Sequence, residues 1–208
     1  MQPLHETTCH IFKSAMLSED QLIERCKKQD RKAQKILYDQ YAGLMLGICM
    51  RYVFERAEAE DILQEGFLKV FQKINKFEGR GSFEGWLKRV FVNTAITHYH
   101  KNAKHNKHHY EISDMYETKF DKETYTESEF TSNELFGVVN SLPEGYKMVF
   151  NLYAIEGYKH KEIGALLKID INTSKSQYSR AKKLIRKKLS QLKREAKKKA
   201  DEVTERIN

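Results

Sequence analysis

EDILQEGFLKVF, residues 60–71, is the stretch of sequence that decides the fold. From within this stretch to just beyond it, apolar side chains recur at steps of three and four, the spacing of one helix face. They are Leu63, Phe67, Val70, Phe71 and Ile74. Asp61, Gln64 and Glu65 fall within about one turn on the other side. The pattern predicts an amphipathic helix from about residue 57 to 77.

Helical patterns continue on both sides of this segment. Ser18 is suited to cap a first helix, and Ser82 is suited to cap a fourth helix that runs from 83 to about 100. A second helix is predicted from about residue 30 to 56. Its apolar stripe is predicted to contain Ile36, Leu37, Tyr41, Leu44, Ile48 and Tyr52.

Periodicity is lost between residues 102 and 133, where Lys and His mix with acidic and hydroxyl side chains. Such a polar tract is typical of a flexible linker. The chain has only two prolines in 208 residues, and so few helix breakers. We therefore predict an all-α protein of two helical domains. An N-terminal helical bundle spans 18–101, and a C-terminal helix-turn-helix domain spans 134–192, followed by a basic tail over 193–208.

The second domain carries the helix-turn-helix pattern. Ser141-Leu142-Pro143-Glu144 matches a capping box with proline in the first turn, and the helix it opens stops at Gly157. A short helix is predicted over 160–167, a turn over 168–171, and Asn172 as the cap of the next helix. That helix exposes Lys175, Ser176, Gln177 and Arg180.

Such side chains are suited to DNA, because short donors reach base edges in the major groove and basic groups contact phosphates. An ordinary helical hairpin with a solvated basic face is the alternative. Between residues 181 and 199 ten Lys or Arg stand against one acid, and the net charge is +8. This excess indicates a polyanionic partner. A solubilising surface charge and an anionic membrane surface are the other interpretations.

Several classes of function are disfavoured. The three cysteines lie far apart without a CxxC pair, and no apolar run approaches the roughly 18 residues of a membrane span. We expect a cytoplasmic protein that is not embedded in a membrane. Histidines near the linker could be read as a metal site, but no fixed ligand geometry supports one: His98, His100, His105, His108 and His109. No catalytic motif is visible, so we predict no metal, no cofactor and no enzymatic activity.

Longer motifs run through both halves. The first half contains residues 60–71, FEGRGSFEGWLKRV at 77–90 and NTA at 93–95. The second half contains SLP at 141–143, KEIG at 161–164, TSKS at 173–176 and RAK at 180–182. Together they resemble the sigma-70 family of sigma factors of bacterial RNA polymerase. Two such domains without the third conserved region between them are typical of the extracytoplasmic-function (ECF) group. The resemblance covers about residues 22–100 and 133–190.

The resemblance implies roles for three sets of residues. The set that docks on the clamp helices of the largest polymerase subunit is Asp61, Gln64 and Glu65. The set that recognises and helps to melt the −10 element is Arg80, Phe83, Lys88, Arg89 and Asn93. The set that reads the −35 element is Lys175, Ser176, Gln177 and Arg180. Trp86 and Phe91 fit the core better than a stacking role, whereas Phe83 fits either.

The implied function is promoter-specific initiation of transcription. The implied partners are core RNA polymerase, through its clamp helices and its flap, and promoter DNA, with an anti-sigma factor as a candidate inhibitor. The alternative is a stand-alone helix-turn-helix regulator. It would leave the acidic patch of Asp61, Gln64 and Glu65 without a function. Three positions depart from the family pattern: Lys168 replaces a common glycine, Ser174 an apolar residue and Gln177 a frequent arginine.

Overall fold

The structure is a computed structural model that describes residues 17–105 and 130–207. Within these ranges every regular element is a helix, which confirms the predicted all-α fold. None of the described helices is long and apolar enough to cross a membrane. Most of the predicted linker falls outside the described residues, so its flexibility stays a prediction.

The N-terminal half contains four α-helices. They are α1 (Glu19–Lys27), α2 (Arg31–Cys49), α3 (Arg56–Lys73) and α4 (Phe83–His105), with a 3₁₀ turn, Ile74–Lys76, after α3. Ser18 caps α1 as predicted, through a reciprocal capping box with Gln21. The prediction for the end of the second helix was wrong. This helix stops at Cys49 because Tyr52 and Val53 turn into the core.

The buried face of α2 matches the prediction in part, because Leu37, Tyr41 and Ile48 are buried as predicted. Ile36 and Leu44 are 46% and 45% exposed. The buried positions that were not predicted are Ala33, Met45 and Cys49. The sequence pattern gave weight to the large aliphatic side chains, whereas small Ala33 and Cys49 fill the tight contacts.

The C-terminal half contains α5 (Ser132–Asn140), α6 (Glu144–Phe150), a π-helical segment (Asn151–Ile155), α7 (His160–Leu167) and α8 (Ile171–Ile207). Two predicted caps were wrong. Ser141 ends α5, where its hydroxyl donates to the carbonyl oxygen of Val138 at 2.7 Å, and Pro143 stands at the N-cap of α6. Asp170, not Asn172, accepts from a free backbone N–H at the start of α8. Residues 193–207 continue α8 as helix.

The two halves share one core. Buried side chains of α1 to α4 form a continuous cluster with Met148, Val149, Leu152, Ile163 and Leu167. Polar contacts also join the halves. His100 Nε2 lies 2.9 Å from the carbonyl oxygen of Leu166, and Arg51 Nη1 lies 3.8 Å from a carboxylate oxygen of Glu156. A smaller cluster of Leu142, Tyr146 and Ala181 packs α6 against α8.

Candidate nucleic-acid interface

The acidic patch lies on the outer side of α3. Asp61 and Gln64 are exposed, and Glu65 is half-buried. The Glu65 carboxylate pairs with Lys69 Nζ at 2.7 Å and with Lys101 Nζ at 3.6 Å. The hydrogen bond from Lys69, helped by the charge of Lys101, holds the pKa of Glu65 below its ordinary value. The carboxylate is therefore ionised at neutral pH and presented on a helix that packs firmly on α4.

A glycine sets the distance between α3 and α4. A Cβ atom at Gly66 would overlap the ring of Phe91, with the Cζ carbon at 2.9 Å. Phe91 is fully buried, so its ring has no room to retreat. Gly66 thus fixes where the acidic patch of α3 stands relative to the exposed side of α4.

Four of the five residues predicted for the −10 element lie at the surface around the start of α4. Arg80, Arg89 and Asn93 are exposed, and Lys88 is half-buried. Arg80 pairs with Glu78 at 2.8 Å, and Lys88 pairs with Glu84 at 2.6 Å. These are solvent-exposed ion pairs of small net stability, so the cations remain available to phosphates.

Phe83, the fifth predicted residue, is a core residue in the structure. Its side chain is 1% exposed and packs against the rings of Tyr41, Phe77 and Trp86 at centroid distances of 5.9, 5.1 and 5.6 Å. Of its two predicted roles the structure supports packing, and we leave Phe83 out of the DNA-facing set. Phe91 is buried as predicted, and Trp86 is half-buried and packs against the same core.

A cleft separates the exposed side of α4 from the C-terminal half. It has a volume of about 560 Å³, and its walls bring Lys88 and Arg89 opposite Glu156, Tyr158 and Glu162. Basic side chains predicted to bind DNA therefore face carboxylates of the same chain.

The helix-turn-helix forms between α7 and α8. Lys168 adopts a left-handed conformation with φ 57° and ψ 43°, so the turn keeps its shape although a lysine stands where glycine is common. Gly164 permits the close crossing, because a Cβ atom there would meet the carbonyl oxygen of Ile169 at 2.9 Å. The departure at Lys168 therefore leaves the turn intact.

The four residues predicted for the −35 element lie in the first turns of α8. Lys175, Ser176 and Arg180 are exposed, and Gln177 is half-buried against Gly145 of α6. A guanidinium nitrogen of Arg180 lies 3.4 Å from the hydroxyl of Tyr146. Two of the four side chains thus contact α6. Lys175 is exposed, and the exposed Ser176 hydroxyl donates to the main-chain carbonyl oxygen of Thr173 at 2.9 Å.

Comparisons with known families identify both halves. The model of Sigma-70 region 2 matches residues 37–105, and the model of Sigma-70 region 4 matches residues 132–185. The chain belongs to the sigma-70 family. In the parts of this sigma factor that the structure describes, no three His, Cys, Asp or Glu side chains are grouped closely enough to hold a metal ion.

The similar proteins are ECF-type and related sigma factors. The ECF RNA polymerase sigma-E factor of Haemophilus influenzae is 29% identical, over 85% of this chain and 97% of the relative. The RNA polymerase sigma-H factor of Pseudomonas aeruginosa is 28% identical, over 86% of this chain and 97% of the relative. Among solved structures, the sigma factor RpoE of Bartonella quintana in complex with the anti-sigma factor NepR matches at 17% identity and TM-score 0.46, covering 75% and 96% of the two chains. The chain is a sigma factor of the ECF group.

Sequence reasoning missed one cluster beside the start of α8 in this sigma factor. His160 Nδ1 lies 2.9 Å from the hydroxyl of Ser174, which is fully buried. The His160 ring stacks on Tyr153, with centroids 4.3 Å apart, and Tyr153 in turn contacts Tyr178 at 4.5 Å. The available signal was a serine at an inward helix position, which requires a polar partner.

Proposed function

We propose that this sigma factor binds core RNA polymerase and directs initiation at promoters, in the cytoplasm and without catalytic chemistry of its own. The observation that carries the proposal is the pair of sigma-70 regions, 2 and 4, in one chain that aligns with nearly the whole length of ECF relatives. The acidic patch of α3 and the exposed basic side of α8 support it.

The polymerase-facing set is Asp61, Gln64 and Glu65. Exposed carboxylate and amide oxygens accept hydrogen bonds from arginine, which suits a docking surface rich in guanidinium donors. Glu65 is held ionised by Lys69, so its charge persists across the neutral pH range. We propose that this patch meets the clamp helices of the largest subunit, while the C-terminal half meets the flap.

The DNA-facing sets are divided between the halves. Arg80, Lys88, Arg89 and Asn93 are proposed to bind the −10 element, and Lys175, Ser176, Gln177 and Arg180 the −35 element. Because Glu156 and Glu162 line the same cleft as Lys88 and Arg89, we propose that the C-terminal half moves away from α4 when the −10 element binds. An anti-sigma factor that holds the halves together is a candidate inhibitor.

The test is reconstitution with core polymerase from the same bacterium. The wild-type chain should form a stable complex and start transcripts at defined positions on genomic promoter fragments. Glu65→Lys should weaken core binding at least about tenfold, since it reverses a charge at a charge-assisted contact. Glu24→Lys is the matched control, because Glu24 pairs with Lys27 on α1, away from the patch.

Two results would contradict the proposal. One is the absence of core binding and of specific starts with the wild-type chain. The other is tight, sequence-selective binding of DNA by the chain alone, which the stand-alone regulator requires. Unchanged core binding by Glu65→Lys would contradict the docking role proposed for Asp61, Gln64 and Glu65.

A further inference from the structure

The start of the DNA-reading helix α8 contains a fully buried hydroxyl. Ser174 has no exposed surface, and it lies between Thr173 and Lys175, directly before the residues proposed to read the −35 element. A buried hydroxyl is destabilising unless it is hydrogen-bonded. The hydrogen-bond partner of Ser174 therefore stabilises this turn of α8 in its observed position. That partner is the imidazole of His160, at 2.9 Å from Nδ1 to Oγ.

The imidazole of His160 is held in one orientation by rings. It stacks on Tyr153 with an interplanar angle of 14°, and it lies 5.9 Å from the ring of Tyr178 on α8. His160 is the first residue of α7, so its ring bridges the beginning of α7 to the beginning of α8. The stack directs Nδ1 at Ser174 rather than at solvent.

The charges near His160 favour its neutral form. Burial, together with the positive charge of Lys175, lowers the pKa of His160 below its ordinary value. Nδ1 of the neutral ring forms one hydrogen bond with the Ser174 hydroxyl. It donates or accepts this bond according to the tautomer of the ring.

We propose that His160 is a positioning residue for recognition of the −35 element. Its bond to Ser174 fixes the rotation of the first turns of α8 and so fixes where Lys175 and Ser176 meet the major groove. The proposal rests on the sigma-factor function proposed above. It also accounts for the departure at Ser174, since a serine at this inward position is suited to a histidine partner on α7.

The other contacts between α7 and α8 lie toward the end of α7. The Gly164 crossing and the left-handed turn at Lys168 join the end of α7 to the start of α8. The buried side chains of Ile163 and Leu167 pack beneath them. The hydrogen bond of His160 is the directional contact at the far end of α7.

The experiment uses holoenzyme made from core polymerase and the full chain. The promoter library is randomised in the −35 element, and a second library randomised in the −10 element is the internal control. His160→Asn and His160→Gln form a matched pair. The Asn amide takes the place of Nδ1, within reach of Ser174, whereas the Gln amide takes the place of Nε2. Both variants lose the ring stack, so their difference reports the hydrogen bond.

The expected result is a change in base preference, not only in activity. In His160→Gln and in Ser174→Ala, the ratio of transcription from preferred to non-preferred −35 sequences falls about twofold to tenfold. A change of this size corresponds to the loss of one hydrogen bond. His160→Asn retains the wild-type preference, and the −10 preference stays unchanged in all three. The double variant His160→Gln/Ser174→Ala loses no more than either single variant.

The proposal is overturned if −35 preference is the same in wild type, His160→Gln and Ser174→Ala, or if −35 and −10 preferences shift together. Base preference is a ratio between promoters for the molecules that fold, so a less stable variant still reports it. If the wild-type holoenzyme starts no specific transcripts, the proposed function itself fails. If it does and the ratios do not move, only the role of His160 fails.

Discussion

The side-chain amide nitrogen of Asn151 donates a 2.6 Å hydrogen bond to the main-chain carbonyl oxygen of Arg51. Asn151 is fully buried in the π-helical segment, and Arg51 lies in the connection between α2 and α3. The bond therefore joins the two halves of the sigma factor. Glu156 adds a second polar tie, because its carboxylate accepts from the hydroxyl of Tyr52 at 3.4 Å.

Replacing Asn151 tests how much this tie contributes. Asn151→Ala removes this hydrogen bond together with the buried Asn151 Oδ1, which has no partner among the described residues, so we expect the free energy of unfolding to fall by about 0.5–1.5 kcal/mol. Urea denaturation followed by circular dichroism measures it. Asn75→Ala, at an exposed asparagine in the 3₁₀ turn, should change stability by less than about 0.5 kcal/mol. Equal stability of the Asn151 and Asn75 variants would mean that the tie contributes nothing.

A methyl group at Gly66 tests the contact between α3 and α4. Gly66→Ala forces a Cβ into the ring of buried Phe91, and we expect a loss of about 1–3 kcal/mol through overpacking. Gly47→Ala is the matched control, since Gly47 is also inside a helix but has open space around its Cβ position. It should stabilise by about 0.5–1 kcal/mol. A stable Gly66→Ala protein would show that α4 can shift away without cost.

The pH dependence of stability tests the environment of His160. Its pKa is lowered in the folded protein by burial and by Lys175, while the unfolded value is about 6.5. The unfolded state therefore takes up a proton first, and stability falls as the pH drops through about 6.5. His160→Asn removes this contribution, so wild type should lose more stability than the variant between about pH 7.5 and about pH 5.5. Urea denaturation at both pH values measures the two losses of stability. An equal loss in wild type and in His160→Asn would contradict the environment assigned to His160.

The elements and the chemistry of the surfaces follow from local pattern. The apolar period of α3 and the acidic residues opposite it predict both the helix and its exposed patch, because both depend on neighbours one turn away. The buried side of α2 was predicted only in part, since Ile36 and Leu44 look more apolar than Ala33 does but are exposed. Packing against α3 and α4, not side-chain hydrophobicity alone, decides that face.

Contacts between distant residues could not be predicted. Phe83 is compatible in sequence with a stacking role, and only its neighbours Tyr41 and Phe77 make it a core residue. The tie of Asn151 to Arg51 crosses the predicted domain boundary and involves a main-chain oxygen, which carries no sequence signal. The pairing of His160 with Ser174 has a weak signal in the sequence, because Ser174 is a polar residue at an inward helix position.

The left-handed conformation of Lys168 predicts that a substitution at this position stabilises the protein. A non-glycine residue in the left-handed region destabilises the folded state by about 1–2 kcal/mol. Replacing it with glycine removes this strain, but part of the benefit is offset because glycine makes the unfolded chain more flexible. Lys168→Gly should therefore stabilise the protein by about 0.5–1 kcal/mol. Lys183→Gly, in the exposed interior of α8, should destabilise it by about 0.8–1 kcal/mol, because the same change there only adds flexibility. Thermal unfolding of both variants beside wild type measures the two signs, and a loss of stability in Lys168→Gly would show that the lysine side chain contributes more than its backbone conformation costs.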